Sequence, residues 1–350
     1  MTPTSPKTRS TQVKAIAIAA AIGVISATAA QAEKVVIYSP HGDEIMTSVA
    51  DRFTAQTGID VEYLSLGGGE LVDRVRAESA NPVADVLYGN PSSVFMELNS
   101  EGLLASFTPS WAGDLDPYFR AENDSWFGTI QTPVVLFYND QMLSAEEAPT
   151  DWFELTDSRF ADEIIIRSTT SAASRALHAA LAYQFDKNGT LETQGWDFFG
   201  GLDANIKRYV PDSGLMFQAI GRQEGAVGFW TLSGVIQNRD TNNLPLTIVN
   251  AESGSPVLAD AIAIVAGAKN RDAAEQFVEF AGGVANQIAL ANEFNRMPTL
   301  DAALADAPAW MSEFEYAIMD VDWGRLAEKQ SEWIQYIEDQ IRDTGKVQQN

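Results

Sequence analysis

The chain has no cysteine and only two histidines, His41 and His178, in 350 residues. Without cysteine there are no disulfides, no thiolate nucleophile and no cysteine-held metal. Two histidines far apart in sequence leave little for histidine-based metal or acid–base chemistry. Basic residues are scarce as well: 23 Lys and Arg stand against 48 Asp and Glu, a formal charge of −25. Such a surface repels nucleic acid and anionic lipid, so neither is expected as a partner, and any anion must be held by local devices. The motifs GxSxG, HExxH and the Walker loop are missing too, and nothing singles out a carboxylate pair, which argues against an enzyme. No stretch after the first 32 residues reaches the about 18 apolar positions that a membrane helix needs.

The N-terminus carries Lys7, Arg9 and Lys14 without an acid, then the apolar run "AIAIAAAIGVISATA", then Ala30-Gln31-Ala32. A positive region, a short apolar core and a small-x-small site are the marks of an export signal, so residues 1–32 read as a removed leader. Its three positive charges leave with it, taking the formal charge from −25 to −28. Export without disulfides suits a periplasmic location, and a hydrophobic fraction of 45% is that of an ordinary globular chain.

The remainder opens as strand–helix–strand–helix–strand: "KVVIYS", "DEIMTSVADRFTAQTG", "IDVEYLSL", "GGGELVDRVRAESANP" and "ADVLYG". Alternation at this spacing predicts a parallel sheet with right-handed crossovers, with ligands beyond the C-terminal strand ends. Those ends carry His41, Gly68 and Gly69, and Asn90. The glycines either let a backbone approach a ligand or form a plain turn. Strand-like stretches 126–139 and 244–268 bracket a second strand–helix set: strand 163–167, helices 171–185 and 194–201, strand 206–210, helix 213–222 and strand 226–230. After 268 the pattern is helical. The prediction is α/β, with two Rossmann-like lobes joined by two crossing hinge strands and a ligand cleft between them. Lobe 1 takes 33–132 and 250–350, and lobe 2 takes 133–249.

Four hydroxyls in a row, Ser168, Thr169, Thr170 and Ser171, stand between a buried-looking strand and an amphipathic helix, with Arg167 and Arg175 nearby. One hydroxyl suffices for an N-cap. Extra hydroxyls at a helix N-terminus suit an anion, with the N–H groups from Ala172 onward and the dipole adding to them; a cap with turn-forming neighbours is the plainer alternative. Ser213 opens a second such helix. Asp260 interrupts the apolar run "SPVLADAIAIVAGA", where a carboxylate costs several kcal/mol unless paired. It marks either a ligand contact or an internal salt bridge. His178 reads as structural.

The ordered motifs "TGI" with Val61, "ADV", "TPVVLFYN", "DAIAIV" and "FVEF" resemble the extracellular solute-binding proteins that feed ABC importers, in the type II branch for ferric iron, sugar phosphates, phosphonates and polyamines. The resemblance implies a hinged, non-catalytic binding protein that works with an inner-membrane permease, needs no cofactor or resident metal, and is monomeric. It implies an anion site at Ser168–Ala172, an aspartate at Asp260 meeting a ligand ammonium, and Trp230 stacking on the ligand. Ferric-binding relatives carry a Tyr-Tyr pair where this chain has Thr231-Leu232; His41 matches a histidine of some iron binders but stands alone. An anion cradle with an ammonium-type acid implies a small zwitterionic or anionic solute, best matched by 2-aminoethylphosphonate. A sugar phosphate, a polyamine or ferric iron are the alternatives, with a hydrolase behind them.

Overall fold

The alternation builds a parallel edge first. In the computed structural model, β1 (Lys34–Ser39), α1 (Asp43–Thr57), β2 (Asp60–Ser65), α2 (Gly68–Glu78) and β3 (Val86–Pro91) follow as expected, with α3 (Ser92–Ser100) and β4 (Leu104–Ala105) after them. The structure describes residue 1 and residues 34–169, 171–314 and 316–348; the expected leader and Thr170 lie outside the described residues. Helix α1 forms because Ile45, Val49 and Phe53 make one buried stripe, and it ends where Gly58, at φ 76°, donates its N–H to Thr54 O. β5 (Phe127–Asn139) comes next, then β6 (Ile164–Arg167), α4 (Ala172–Asp186), α5 (Trp196–Asn205), β7 (Ile206–Val210), α6 (Ser213–Gly221), β8 (Val227–Thr231) and α7 (Leu232–Asp240). The chain closes with β9 (Leu246–Val249), β10 (Val257–Val265), α8 (Arg271–Ala281), α9 (Val284–Phe294), β11 (Met297–Pro298), α10 (Asp301–Leu304), α11 (Trp310–Glu313) and α12 (Trp323–Tyr336).

The strand order is β2-β1-β3-β10-β5-β8-β6-β7, with β4 on β10 and both β9 and β11 on β5. Strand β5 is shared by the two halves. Residues 127–133 pair antiparallel with β10 and residues 134–138 with β8. Its alternation feeds two cores, Val134 and Leu136 into one and Val135 and Phe137 into the other. In the first half the sheet is covered by Phe53 and Phe277 on one side and Leu71, Phe95 and Leu98 on the other. Stretch 244–268, read as one strand, breaks into β9 and β10. The break falls at Gly254, whose φ of 82° and close approach to Met319 exclude a side chain. Trp152 Nε1 donates to Gly254 O at 2.8 Å and pins this connector.

The C-terminal stretch ties the halves together. Met319, Val321, Trp323, Leu326 and Trp333 join the core of Trp152, Leu181 and Phe229, and α12 packs against both α3 and α4. Trp323 Nε1 donates to the Tyr118 hydroxyl, which donates to Val257 O at 2.9 Å. No helix among the described residues is long and apolar enough to cross a membrane.

Candidate functional site

The parallel strands end together in each half, so their C-terminal ends gather the polar residues in two groups. In the first half, His41 is buried beyond β1; its backbone N–H donates to Ser39 Oγ at 3.1 Å, and its ring meets Tyr88 edge-on at 5.1 Å. The ring lies over Gly89, whose φ is 106°; a Cβ there would stand 2.4 Å from the imidazole. A glycine is therefore required at this strand end. His41 Nε2 is buried and has no hydrogen-bond partner, and the same holds for both amide atoms of Asn90, which is only 1% exposed. Buried polar atoms almost always find a partner, so three orphans at two neighbouring strand ends are a signal for a bound group.

Asp260 stands beside them. It pairs with Pro91 of β3 and Ile130 of β5, at an irregularity where Ala261 pairs with Asn90. Its carboxylate is half-buried and makes no hydrogen bond or salt bridge among the described residues. Burial pushes its pKa up to about 7, with the nearby Arg296 charge offsetting part of the shift. Burial, aided by the same arginine, drives His41 down to about 4, so the imidazole is neutral at pH 7. The sequence reading passed over Arg296. Its one local signal is a cation in "FNRMP" directly before a short strand, inside a region whose pattern otherwise reads as helix. Arg296 Nε is buried without a partner.

The second group lies at the ends of β6, β7 and β8. Ser168 and Ser171 are buried; Ser171 caps α4 by accepting from Ser174 N–H at 3.5 Å, and Ala172 is the first residue of that helix. Thr169 donates to the Glu338 carboxylate, which also pairs with Arg342. Arg167 Nε donates to Pro211 O at 3.0 Å, and its guanidinium lies 5.4 Å from the Trp230 ring. The half-buried Trp230 thus already carries a cation on one face. Ser213 opens α6, but the cap is Asp212, which accepts from Leu215 N–H at 2.9 Å. A carboxylate at that end competes with any incoming anion. Gly68 and Gly69 open α2 at the end of β2. His178 is a core residue, stacked on Phe199 and hydrogen-bonded through Nδ1 to Ser174 O. Among the described residues no three His, Asp or Glu side chains gather as metal ligands.

Comparison with known proteins places this geometry. The family model for bacterial extracellular solute-binding proteins matches residues 39–288. The chain is 32% identical over 331 residues to the probable ABC transporter periplasmic-binding protein y4fP of Sinorhizobium fredii, covering 92% of this chain and 90% of that one. It is 30% identical over 155 residues to a putative 2-aminoethylphosphonate-binding periplasmic protein of Salmonella typhimurium, covering 44% of this chain and 43% of the relative. Among solved structures, Trichodesmium IdiA (FutA) in complex with iron and citrate superposes with a TM-score of 0.76 at 17% identity, over 88% of this chain and 99% of that one.

Proposed function

The chain belongs to the bacterial extracellular solute-binding proteins, periplasmic components of ABC transporters and not enzymes, and we propose from there that its solute is a small zwitterion, best represented by 2-aminoethylphosphonate. The observation that carries this reading is Asp260, a half-buried carboxylate with no partner, beside the orphan atoms of His41 and Asn90. A desolvated charge without a counter-ion costs several kcal/mol, and a ligand ammonium docking there removes that cost. His41 and Asn90 supply neutral hydrogen bonds around it. The hydroxyls before α4 are less open to the ligand, because Thr169 donates to Glu338 and Ser171 caps the helix. The partial relative from Salmonella typhimurium, named as a 2-aminoethylphosphonate-binding protein, supports the same choice. A bare ferric ion is poorly served by one imidazole and one carboxylate.

The motion follows from the shared strand. Ligand docks on lobe 1 (33–132 and 250–350), and the crossing segments at 131–139 and 244–257 rotate to bring in lobe 2 (133–249). The stretch from Met319 onward packs across both lobes and limits the swing. Closure then presents a surface to the permease. Calorimetric titration of the purified protein with 2-aminoethylphosphonate, ethylphosphonate, taurine, glucose 6-phosphate, spermidine and ferric citrate tests the reading. Tight binding of the first with loss of affinity on removing its amine is expected. Binding of only the sugar phosphate or the iron complex overturns the ligand.

A further inference from the structure

Arg296 makes no side-chain hydrogen bond and no salt bridge among the described residues, although its Nε is buried. The chain delivers it there with little freedom. Asn295 ends α9 in the left-handed conformation at φ 53°, and Met297 and Pro298 at once pair with Gln131 and Ile130 of β5. On the other edge of β5, Ala259 and Asp260 pair with the same two residues. Arg296 and Asp260 therefore flank one short piece of β5, their backbones about 10 Å apart at two strand spacings. The arginine's charge acts on both Asp260 and His41. Even so, no salt bridge closes between the two charges.

Two opposite, partly desolvated charges near enough to act on each other without meeting are costly in the empty protein. They fit a ligand that carries one charge of each sign at its two ends. Building on the zwitterion reading above, we propose that Arg296 holds the anionic group of the ligand whose ammonium meets Asp260, so that lobe 1 alone reads both charges. A planar guanidinium presents paired N–H donors matching a phosphonate, sulfonate or carboxylate edge. The second half meets the arginine. Leu232 and Ser233 of α7 line a gap with Arg296, Ile130 and Thr132, and the α7 cap residue Thr231 makes no side-chain cap bond. The first-turn N–H groups of α7 are thus placed to cover the anion on closure. The gap measures about 10 Å³, the room of about one water, so the halves part to admit a phosphonate.

Wild-type, Arg296→Gln and Arg296→Lys proteins are titrated with 2-aminoethylphosphonate, ethylphosphonate and ethylamine. The Gln variant should lose about 30-fold or more for both phosphonates, the loss expected when one side of a desolvated charge pair is removed, and little for ethylamine. The Lys variant should recover part of the affinity. In parallel, the His41 ring is titrated by NMR; its pKa should rise in Arg296→Gln, which shows a folded site that has lost the nearby cation. A folded Gln variant that binds 2-aminoethylphosphonate within about threefold of wild type overturns this role while leaving the zwitterion reading intact. A wild-type protein that binds neither phosphonate overturns both.

Discussion

Replacing Asp260 by Asn separates a ligand contact from an internal salt bridge, because the two make opposite demands on the empty protein. The carboxyl titrates near 3.8 in the unfolded chain and is pushed up to about 7 on folding. The folded state therefore binds this proton more tightly. Its contribution is neutral below about pH 4, turns unfavourable as pH rises, and levels off above 7. Just over three pK units at 1.36 kcal/mol each set an upper limit of about 4 kcal/mol. Partial exposure of the group brings the expected penalty to about 2–4 kcal/mol. Asp260→Asn should thus fold more stably than wild type by about that amount at pH 8, equally well near pH 4, and bind amino ligands far more weakly. His41 has the opposite slope: its pKa falls from 6.5 to about 4, so it favours folding above pH 6.5 and loses that contribution as pH drops through 4. In wild type the two slopes oppose each other between pH 4 and 6.5; in the variant the rise due to His41, up to about 3 kcal/mol, stands uncovered. Urea unfolding of both proteins at intervals from pH 4 to 8, with calorimetry at pH 8, reads all of this. A variant less stable than wild type at pH 8 would mean that Asp260 serves an internal cation, and the reasoning would fall.

Gly89→Ala should destabilise the protein by about 2 kcal/mol or more, since it adds backbone strain at a positive φ to a clash with His41, and ligand affinity should fall with it; thermal melts and titration check both. Thr169→Val removes the hydroxyl that donates to Glu338 and should cost about 1–3 kcal/mol in urea unfolding while leaving ligand affinity unchanged. A fall in affinity with intact stability would return that hydroxyl to the binding site.

Much of the fold was legible because it is written in local periodicity. The stripe Ile45, Val49 and Phe53, the alternation along 126–139 and the apolar run before Ser168 each need only near neighbours to declare themselves. Helix α7 was passed over because it starts directly from β8 with no turn signal between them. Of the candidate site, Asp260 stood out as a carboxylate inside an apolar strand, and His41 and Asn90 followed from the strand–helix logic as residues at strand ends. The solvation of these groups, which makes them informative, was beyond reach of the sequence, since burial depends on everything packed around them.

The chain's amino-acid order alone determined its acidic composition, the strand–helix alternation and the shared crossing strand, all properties of composition or of residues a few positions apart. Tertiary structure decided how the polar groups are used. Glu338 reaches Thr169 across 169 positions. Asp212 rather than Ser213 caps α6, and Arg167 lies on Trp230. Arg296 reaches the neighbourhood of Asp260 only because β10 and β11 choose opposite edges of β5. Strand pairing over such separations is set by the energy of the whole packed core, which no local pattern encodes.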